Sequence, residues 1–229
     1  MMASDKESKM LGTVRTEDLS VSWASESGVS NENTDRVCIL TMANGQVRLT
    51  MQSATINLKG IRLTKGHVCV FALFEAGGND KKDVAAADRA SEIFMNAIMK
   101  YDIIKKPAKD ILMKCLSKVS KNMTKEFMGA CYKASVAVFA AKDLTACSTN
   151  GGRMFILSDD DKVSELRSDG VEILRVGLSW KNIMMVSGGY PTVDDEVKGD
   201  MRSPIGDIIT KRKMGSLPDS SSIVRAQRL

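Results

Sequence analysis

The sequence predicts an α+β fold in which two β-sheets pack together with helices on the outside. Predicted strands occupy both halves of the chain, two amphipathic helices lie in sequence between them, and strands and helices do not alternate. The lack of alternation argues against a doubly wound nucleotide-binding sheet. At 229 residues the chain is long enough for one larger domain. We expect residues 1–17 to be a loosely held polar leader and residues 18–229 to form the domain.

The stretch Val68–Asp80 is the centre of this prediction, because a run of apolar residues ends there at an acid and two glycines. The run is too short for a helix and is typical of a strand covered on both faces, so we predict a central strand. Glu75, Gly77 and Gly78 follow it. An acid on a glycine-rich loop fits a cation or phosphate site, although on this stretch alone an ordinary strand-to-helix turn is the commoner explanation.

Alternating or continuous apolar runs predict the remaining strands on either side of this centre. They span residues 19–23, 37–42, 47–51, 54–63, 134–141, 144–148, 153–157, 163–166, 171–174, 182–186 and 222–229. The apolar spacing predicts helices over Val84–Tyr101 and from Pro107 onward, a short helix opened by Asp194, and a weaker one within 199–214. The dipeptides at Asn44 and Asp169, each followed by glycine, predict hairpin turns, and we expect the central strand to be the last of a meander.

Composition excludes several classes of function. The net charge of +5 is modest and the lysines are scattered, which argues against nucleic-acid binding. No apolar run approaches the ~18 residues of a membrane span, and the N-terminal stretch lacks the form of a signal peptide. Five cysteines without a CxxC pair predict reduced thiols in a cytoplasmic protein. The single histidine, His67, argues against a histidine zinc site or a Ser-His-Asp triad.

Five segments, in this order, resemble the metal-dependent protein phosphatases, also called the protein phosphatase 2C or PPM-type class. They are Ser27–Val37, Phe71–Asn79, Lys133–Leu157, Ile183–Val197 and Gly215–Val224. The resemblance covers about Leu19 to Leu229 and implies a four-layer αββα sandwich of two antiparallel sheets flanked by helices. Only two predicted strands and Trp180 lie between Arg153 and Ser187, so this copy lacks the flap insertion of typical eukaryotic relatives.

The resemblance also implies a catalytic site whose functional side chains are largely replaced here. Members of the family hold two Mg²⁺ or Mn²⁺ ions with aspartates, and a bridging water attacks phosphoserine or phosphothreonine. The residue that contacts the substrate phosphate falls at Ser30, and the glutamate of the opening acidic pair falls at Thr34. The histidine of the glycine loop falls at Gly77, and a metal-binding aspartate falls at Gly188. By this resemblance we expect no intact catalytic residue.

Three acids remain as vestigial metal candidates at positions matching the family's motifs: Asp35, Glu75 and Asp219. Glu75 stands where the family has a bridging aspartate and is longer by one carbon-carbon bond, roughly 1.5 Å. Two neighbouring divalent ions need several carboxylates to offset their mutual repulsion. We therefore expect no cofactor, with one weakly bound Mg²⁺ or Mn²⁺ ion as the alternative.

The retained scaffold and lost ligands together predict a catalytically inactive pseudophosphatase. It would act as a protein-binding scaffold or regulatory domain whose partners are other proteins, not nucleic acid or membranes. Two alternatives stay open. One is an atypical active Mg- or Mn-dependent Ser/Thr phosphatase in which Glu75 replaces the bridging aspartate. The other is a structural subunit of a larger assembly, for example a cytoskeletal one.

Overall fold

A computed structural model describes residues 9–27, 33–43, 46–51, 54–58, 67–78, 80–128, 131–188, 190, 194–214 and 220–229. Within these residues the strands are β1 (Lys9–Arg15), β2 (Leu19–Glu26), β3 (Asp35–Ala43), β4 (Gln46–Met51), β5 (Ala54–Leu58), β6 (Val68–Ala76), β7 (Tyr132–Ala140), β8 (Asp143–Thr149), β9 (Arg153–Ser158), β10 (Val163–Arg167), β11 (Val171–Gly177), β12 (Trp180–Val186) and β13 (Ser221–Arg228). The helices are α1 (Lys81–Ile98), α2 (Ala108–Glu126), α3 (Asp194–Arg202) and α4 (Ile205–Arg212).

The strands form two antiparallel sheets, as predicted. One has six strands in the order β1-β2-β13-β12-β9-β10, and the other has seven in the order β11-β8-β7-β6-β3-β4-β5. β6 is the middle strand of the seven-stranded sheet, so the prediction of a central strand is confirmed. Its side chains alternate between two apolar clusters: Val70 and Phe74 face the helices, whereas Phe71 and Leu73 face the other sheet.

Three apolar clusters join four layers. The first lies between α1, α2 and the seven-stranded sheet, and the second fills the space between the two sheets. The third lies between the six-stranded sheet and the pair α3 and α4. This arrangement confirms the αββα sandwich. Only β10 and β11 lie between β9 and β12, so the compact form without a flap is confirmed as well.

The helix α1 packs as its sequence predicts, but it begins at Lys81 and ends at Ile98, each three residues before the predicted bound. The Asp80 side chain accepts hydrogen bonds from the backbone N–H groups of Lys82 and Asp83, which satisfies two donors that a helix start leaves unpaired. Ala87, Ala90 and Phe94 lie on its buried face. No helix in the described part of the chain is both long and apolar enough to cross a bilayer.

The expected leader is partly structured. Lys9–Arg15 forms β1 and pairs with β2 over seven residues, so the prediction of a loosely held leader is wrong for this part. Residues 1–8 lie outside the described residues. β1 forms because β2 presents a free edge and Val14 packs against the cluster between the sheets. Gly12 lies so close to the Trp23 ring that any larger residue would collide with it.

Two predicted strand connections are wrong. β6 pairs with β3 and not with β5, so it does not end a meander. The reason is burial, since β6 is covered on both faces whereas β5 is largely exposed and suits a sheet edge. The turn after Asp169 joins strands of different sheets, because β10 pairs with β9 and β11 pairs with β8. The β3–β4 pairing is confirmed, although Asn44 and Gly45 lie outside the described residues.

Candidate functional site

The candidate site lies at one end of the sandwich, where β3 begins and β6 ends. Because these strands are antiparallel neighbours, Asp35 lies directly opposite Glu75 in the ladder. Ser187, which follows β12, and Ser222, in β13, bring the six-stranded sheet to the same place: Ser187 Oγ accepts a hydrogen bond from the Ser222 backbone N–H at 2.9 Å. The topology therefore brings together two of the three predicted acids.

Asp35 is an almost fully buried carboxylic acid, with 1% of its surface exposed. Neither of its carboxyl oxygens has a hydrogen-bond partner among the described residues, although the hydroxyls of Ser187 and Ser222 lie close enough to favour the charged form. Burial, and then the neighbouring Glu75, raise the pKa of Asp35 to about 7. Asp35 therefore lies in a pocket that disfavours its charge.

Hydroxyl groups surround this acid. Ser25 and Ser222 share a hydrogen bond of 2.6 Å, and Asn33 donates to Ser25 at 2.6 Å. The backbone N–H of Thr34 donates to the Ser220 hydroxyl at 2.9 Å, which connects the start of β3 to the residue before β13. The neighbours of Asp35 thus include neutral donors.

Glu75 is held by two donors at one oxygen. Its Oε1 accepts from the Lys133 ammonium at 3.2 Å and from the Gly188 backbone N–H at 2.8 Å. Lys133 lies opposite Glu75 in the β6–β7 ladder, and Glu75 is only 14% exposed. A lysine of the chain itself therefore neutralises the Glu75 carboxylate, one of the predicted metal candidates.

The two glycines of the predicted site, Gly77 and Gly188, leave no space for a larger side chain. A Cβ at Gly188 would lie 2.6 Å from Glu75 Oε1 and 3.2 Å from the Lys133 ammonium. A Cβ at Gly77 would lie 2.3 Å from Cys131 Cβ and 2.9 Å from the Cys131 carbonyl oxygen. Gly77 is also fixed there, because its N–H donates to that carbonyl oxygen at 2.8 Å.

Comparison with known proteins gives a match in structure alone. No family model matches the sequence, and the search of curated proteins found no relative. Solved structures similar to this chain include the Ser/Thr phosphatase Stp1 from Staphylococcus aureus, with a TM-score of 0.68 and 12% identity over 93% of this chain and 95% of that one. They also include the PstP catalytic domain in complex with two manganese ions, with a TM-score of 0.64 and 14% identity over 93% of this chain and 99% of that one. A third similar structure is RsbX in complex with magnesium, with a TM-score of 0.64 and 11% identity over 96% of this chain and 100% of that one.

This chain has the PPM-type phosphatase fold. The resemblance found in the sequence motifs is thereby confirmed for the architecture. Of the predicted positions, Thr34, Asp35, Glu75, Gly77 and Gly188 lie together around the described site. Two further predicted residues, Ser30 and Asp219, lie outside the described residues.

The described residues of this PPM-type site do not fit a pair of divalent ions. They contain no group of three or more acid, histidine or cysteine side chains placed to hold a metal ion. Of the three predicted metal candidates, Asp35 and Glu75 lie in the described part of the chain, and Glu75 already accepts from an ammonium group. Divalent ions of this kind need several anionic oxygens, which the serine hydroxyls around Asp35 do not supply.

Lys133 is the residue of this site that the sequence did not reveal. It is the second residue of β7 and the only charged one in that strand, and this charge was the signal available. The contact with Glu75 depends on the register between β6 and β7, which is set by the two-sheet packing. A charged residue near the start of a buried strand, beside a strand that ends in an acid, is the pattern to look for.

Proposed function

We propose that this chain is a catalytically inactive PPM-type phosphatase-like domain that binds other proteins as a scaffold or regulator. The observation that carries the proposal is the pairing of Glu75 with Lys133 and with the Gly188 N–H. The carboxylate that would bridge two ions has an internal cation instead. We further propose that the protein works in the reducing cytoplasm, which suits its five free cysteines.

The positive charge of Lys133 beside Glu75 disfavours the binding of a divalent cation at this carboxylate. Two unit charges about 4 Å apart interact by about 4 kcal/mol at an effective dielectric constant of ~20. A divalent ion beside the Lys133 ammonium would therefore meet about twice that repulsion, unless the lysine moved away. Lys133 has room to move because 34% of its side chain is exposed, but its departure would give up the contact to Glu75. The pair thus competes directly with metal binding.

Phosphate hydrolysis also needs a group that protonates the leaving oxygen, and position 77 does not supply one. Gly77 carries no group that could protonate a leaving oxygen, and the contact with Cys131 leaves no room for one. Metal ions and positioned donors supply several kcal/mol each to such transition states. An enzyme deprived of both would fall below measurable turnover, whereas the packed scaffold keeps its surfaces for binding.

Metal titration tests the proposal directly. We expect calorimetric titration of the full chain with MnCl₂ or MgCl₂ to show no micromolar site, and a phosphoserine peptide to remain uncleaved in the presence of Mn²⁺. The PstP catalytic domain, whose structure contains two manganese ions, is the positive control. Turnover that requires Mn²⁺ and disappears in Glu75→Ala would falsify the proposal.

One observation favours the second candidate, an atypical phosphatase with a single ion. Asp35 lies opposite Glu75, and its oxygens have no hydrogen-bond partner among the described residues, so a cation that reached them would displace no protein group. A micromolar Mn²⁺ site lost in Asp35→Asn, together with phosphatase turnover, would select this candidate. A structural role in a larger assembly would instead show as co-purification that survives high salt.

A further inference from the structure

A cleft of about 660 Å³ lies far from the candidate site. It is formed by the connection between α1 and α2, the β7–β8 hairpin and one residue of β11. Ala140, which lines it, lies opposite Val68 at the start of β6, whereas Glu75 lies seven residues further along that strand. Seven residues of strand span roughly 23 Å. The cleft and the candidate site are therefore at opposite ends of the same two strands.

The lining of the cleft is strongly cationic. Lys105, Lys106, Lys109 and Arg175 line it, against the single acid Asp143. Arg175 pairs with Asp143 at 2.7 Å, and Lys105 pairs with a neighbouring aspartate at 3.3 Å. Lys106 and Lys109 have no acidic partner among the described residues. The cleft thus presents positive charge that the described chain does not neutralise.

Apart from Thr145, the rest of the lining is apolar. Ile103 and Ala140 belong to the buried cluster beneath α1 and α2, and the half-buried Ile104 packs against that cluster. Pro107 and Ala108 complete this side, next to the lysines. An apolar surface with a cationic border matches a ligand that carries an apolar side chain between negative charges.

We propose that this cleft docks an acidic segment of a partner protein. An apolar side chain of that segment contacts Ile104 and Pro107, which line the cleft and are accessible, and flanking carboxylates pair with Lys106 and Lys109. Charge complementarity is the ground for this choice of partner, because the excess positive charge of the lining has no counterpart within the described chain. The volume suits a few side chains and not a whole domain.

A nucleic acid fits the cleft less well. Proteins that bind single strands combine a long basic groove with aromatic side chains that stack on bases. None of the described residues that line the cleft is aromatic, and four basic residues in one small cavity do not follow a polymer backbone. Preferential binding of an oligonucleotide is therefore an outcome that would overturn the proposal.

The inference rests on the proposed protein-binding function and assigns it a surface. It does not rest on the inactive site, since the two lie at opposite ends of β6 and β7. Failure of the acidic peptide to bind overturns the cleft assignment alone. Failure of the inactive-site proposal would appear in the Mn²⁺ titration, which measures the other end.

The test measures binding of a fluorescein-labelled peptide in which two central leucines are flanked by glutamates. We expect micromolar binding by the full chain, weakened about tenfold in Lys106→Glu/Lys109→Glu. The matched control is Lys118→Glu/Lys121→Glu, which makes the same charge change on exposed residues of α2 outside the cleft. This control should change the affinity by less than about twofold, because the Debye length is about 8 Å at physiological salt.

Two further measurements locate the contact. Hydrogen exchange should slow in residues 103–109 and 140–145 when the peptide binds, and a peptide with serines in place of the leucines should bind several-fold more weakly. Equal losses in both double variants would show general charge attraction and overturn the proposal. So would equal binding of the serine peptide, or tighter binding of a single-stranded oligonucleotide that the cleft variant abolishes.

Discussion

The two ends of the β6–β7 ladder differ in how their charged side chains are paired. At one end, Glu75 lies opposite Lys133, and the acid and the cation neutralise each other. At the other end, near Ala140, Lys106 and Lys109 line a cleft without an acidic partner among the described residues. One end is internally paired and filled, whereas the other leaves its charge available to another molecule.

This difference indicates where the domain is free to bind. A site whose carboxylate is already paired and whose glycines touch their neighbours has little left to offer a ligand. Unpaired cations over an apolar surface gain energy only when something negative arrives. The site predicted from the sequence lies where β3 begins and β6 ends, whereas the proposed docking cleft lies at the other end of β6.

The largest expected effect comes from placing at position 77 the histidine that the resemblance implies there. Gly77→His should destabilise the chain by about 3 kcal/mol, because a Cβ there collides with the Cys131 backbone and cannot be relieved by moving a flexible side chain. Chemical denaturation with and without Mn²⁺ measures this. The control is Gly206→Ala in α4, where a Cβ meets nothing and the change should be neutral or slightly stabilising. A stable Gly77→His variant would show that this end is still open.

The next effect concerns the buried acid. Asp35→Asn should stabilise the chain by roughly 2–3 kcal/mol at pH 8, because burial raises the pKa of Asp35 from 3.8 to about 7. The folded state holds this proton more tightly than the unfolded state. The stability of the wild type should therefore fall as the pH rises from about 4 through 7, and most of this slope should vanish in the variant.

Thermal unfolding between pH 5 and 8 checks this, with the exposed Asp169→Asn as the control that keeps the wild-type slope. The same variants separate the two candidate functions. If Mn²⁺ raises the melting temperature of the wild type and Asp35→Asn abolishes that rise, the acid is a metal ligand and the inactive-site proposal is wrong.

A smaller effect is expected from the internal pair. Lys133→Met should cost about 1–2 kcal/mol, since it leaves a largely buried Glu75 with only the Gly188 N–H among its described partners. Adding Glu75→Gln should recover most of the loss, as measured by denaturation of both variants. The exposed pair of Lys181 with Asp161 is the comparison, and Lys181→Met should cost less than about 0.5 kcal/mol. No recovery in the double variant would mean that Lys133 acts by packing alone.

The architecture was largely predictable because its signals are local. The apolar run of β6, the spacing of Ala87, Ala90 and Phe94 in α1, and the turn residues between strands each report on a few neighbours in sequence. The strand order was not predictable in this way. The hairpin predicted at Asp169 was wrong, because β11 pairs with β8 in the other sheet, and the turn residues alone carry no information about which sheet has a free edge.

The site shows the same division. Motif order placed Asp35 and Glu75 at one site, and the ladder between β3 and β6 places them opposite each other. Lys133 was missed because its role exists only through the β6–β7 register. The sequence shows that Gly77 lacks a side chain, but only the packed structure shows that Cys131 now fills that space.

The smallest expected effect comes from removing one cation, Arg175, from the cleft. Arg175 is 77% exposed and pairs with Asp143, so Arg175→Ala should change stability by less than about 0.5 kcal/mol. It should nevertheless weaken the acidic peptide about threefold, because it removes one cation from the cleft and leaves Asp143 uncompensated beside the bound carboxylates. Fluorescence anisotropy and a melting curve on the same sample measure both quantities. Arg153→Ala, which removes an arginine paired with Glu165 outside the cleft, should leave the peptide affinity unchanged. If the two variants weaken binding alike, the peptide responds to the net charge of the protein and not to the cleft.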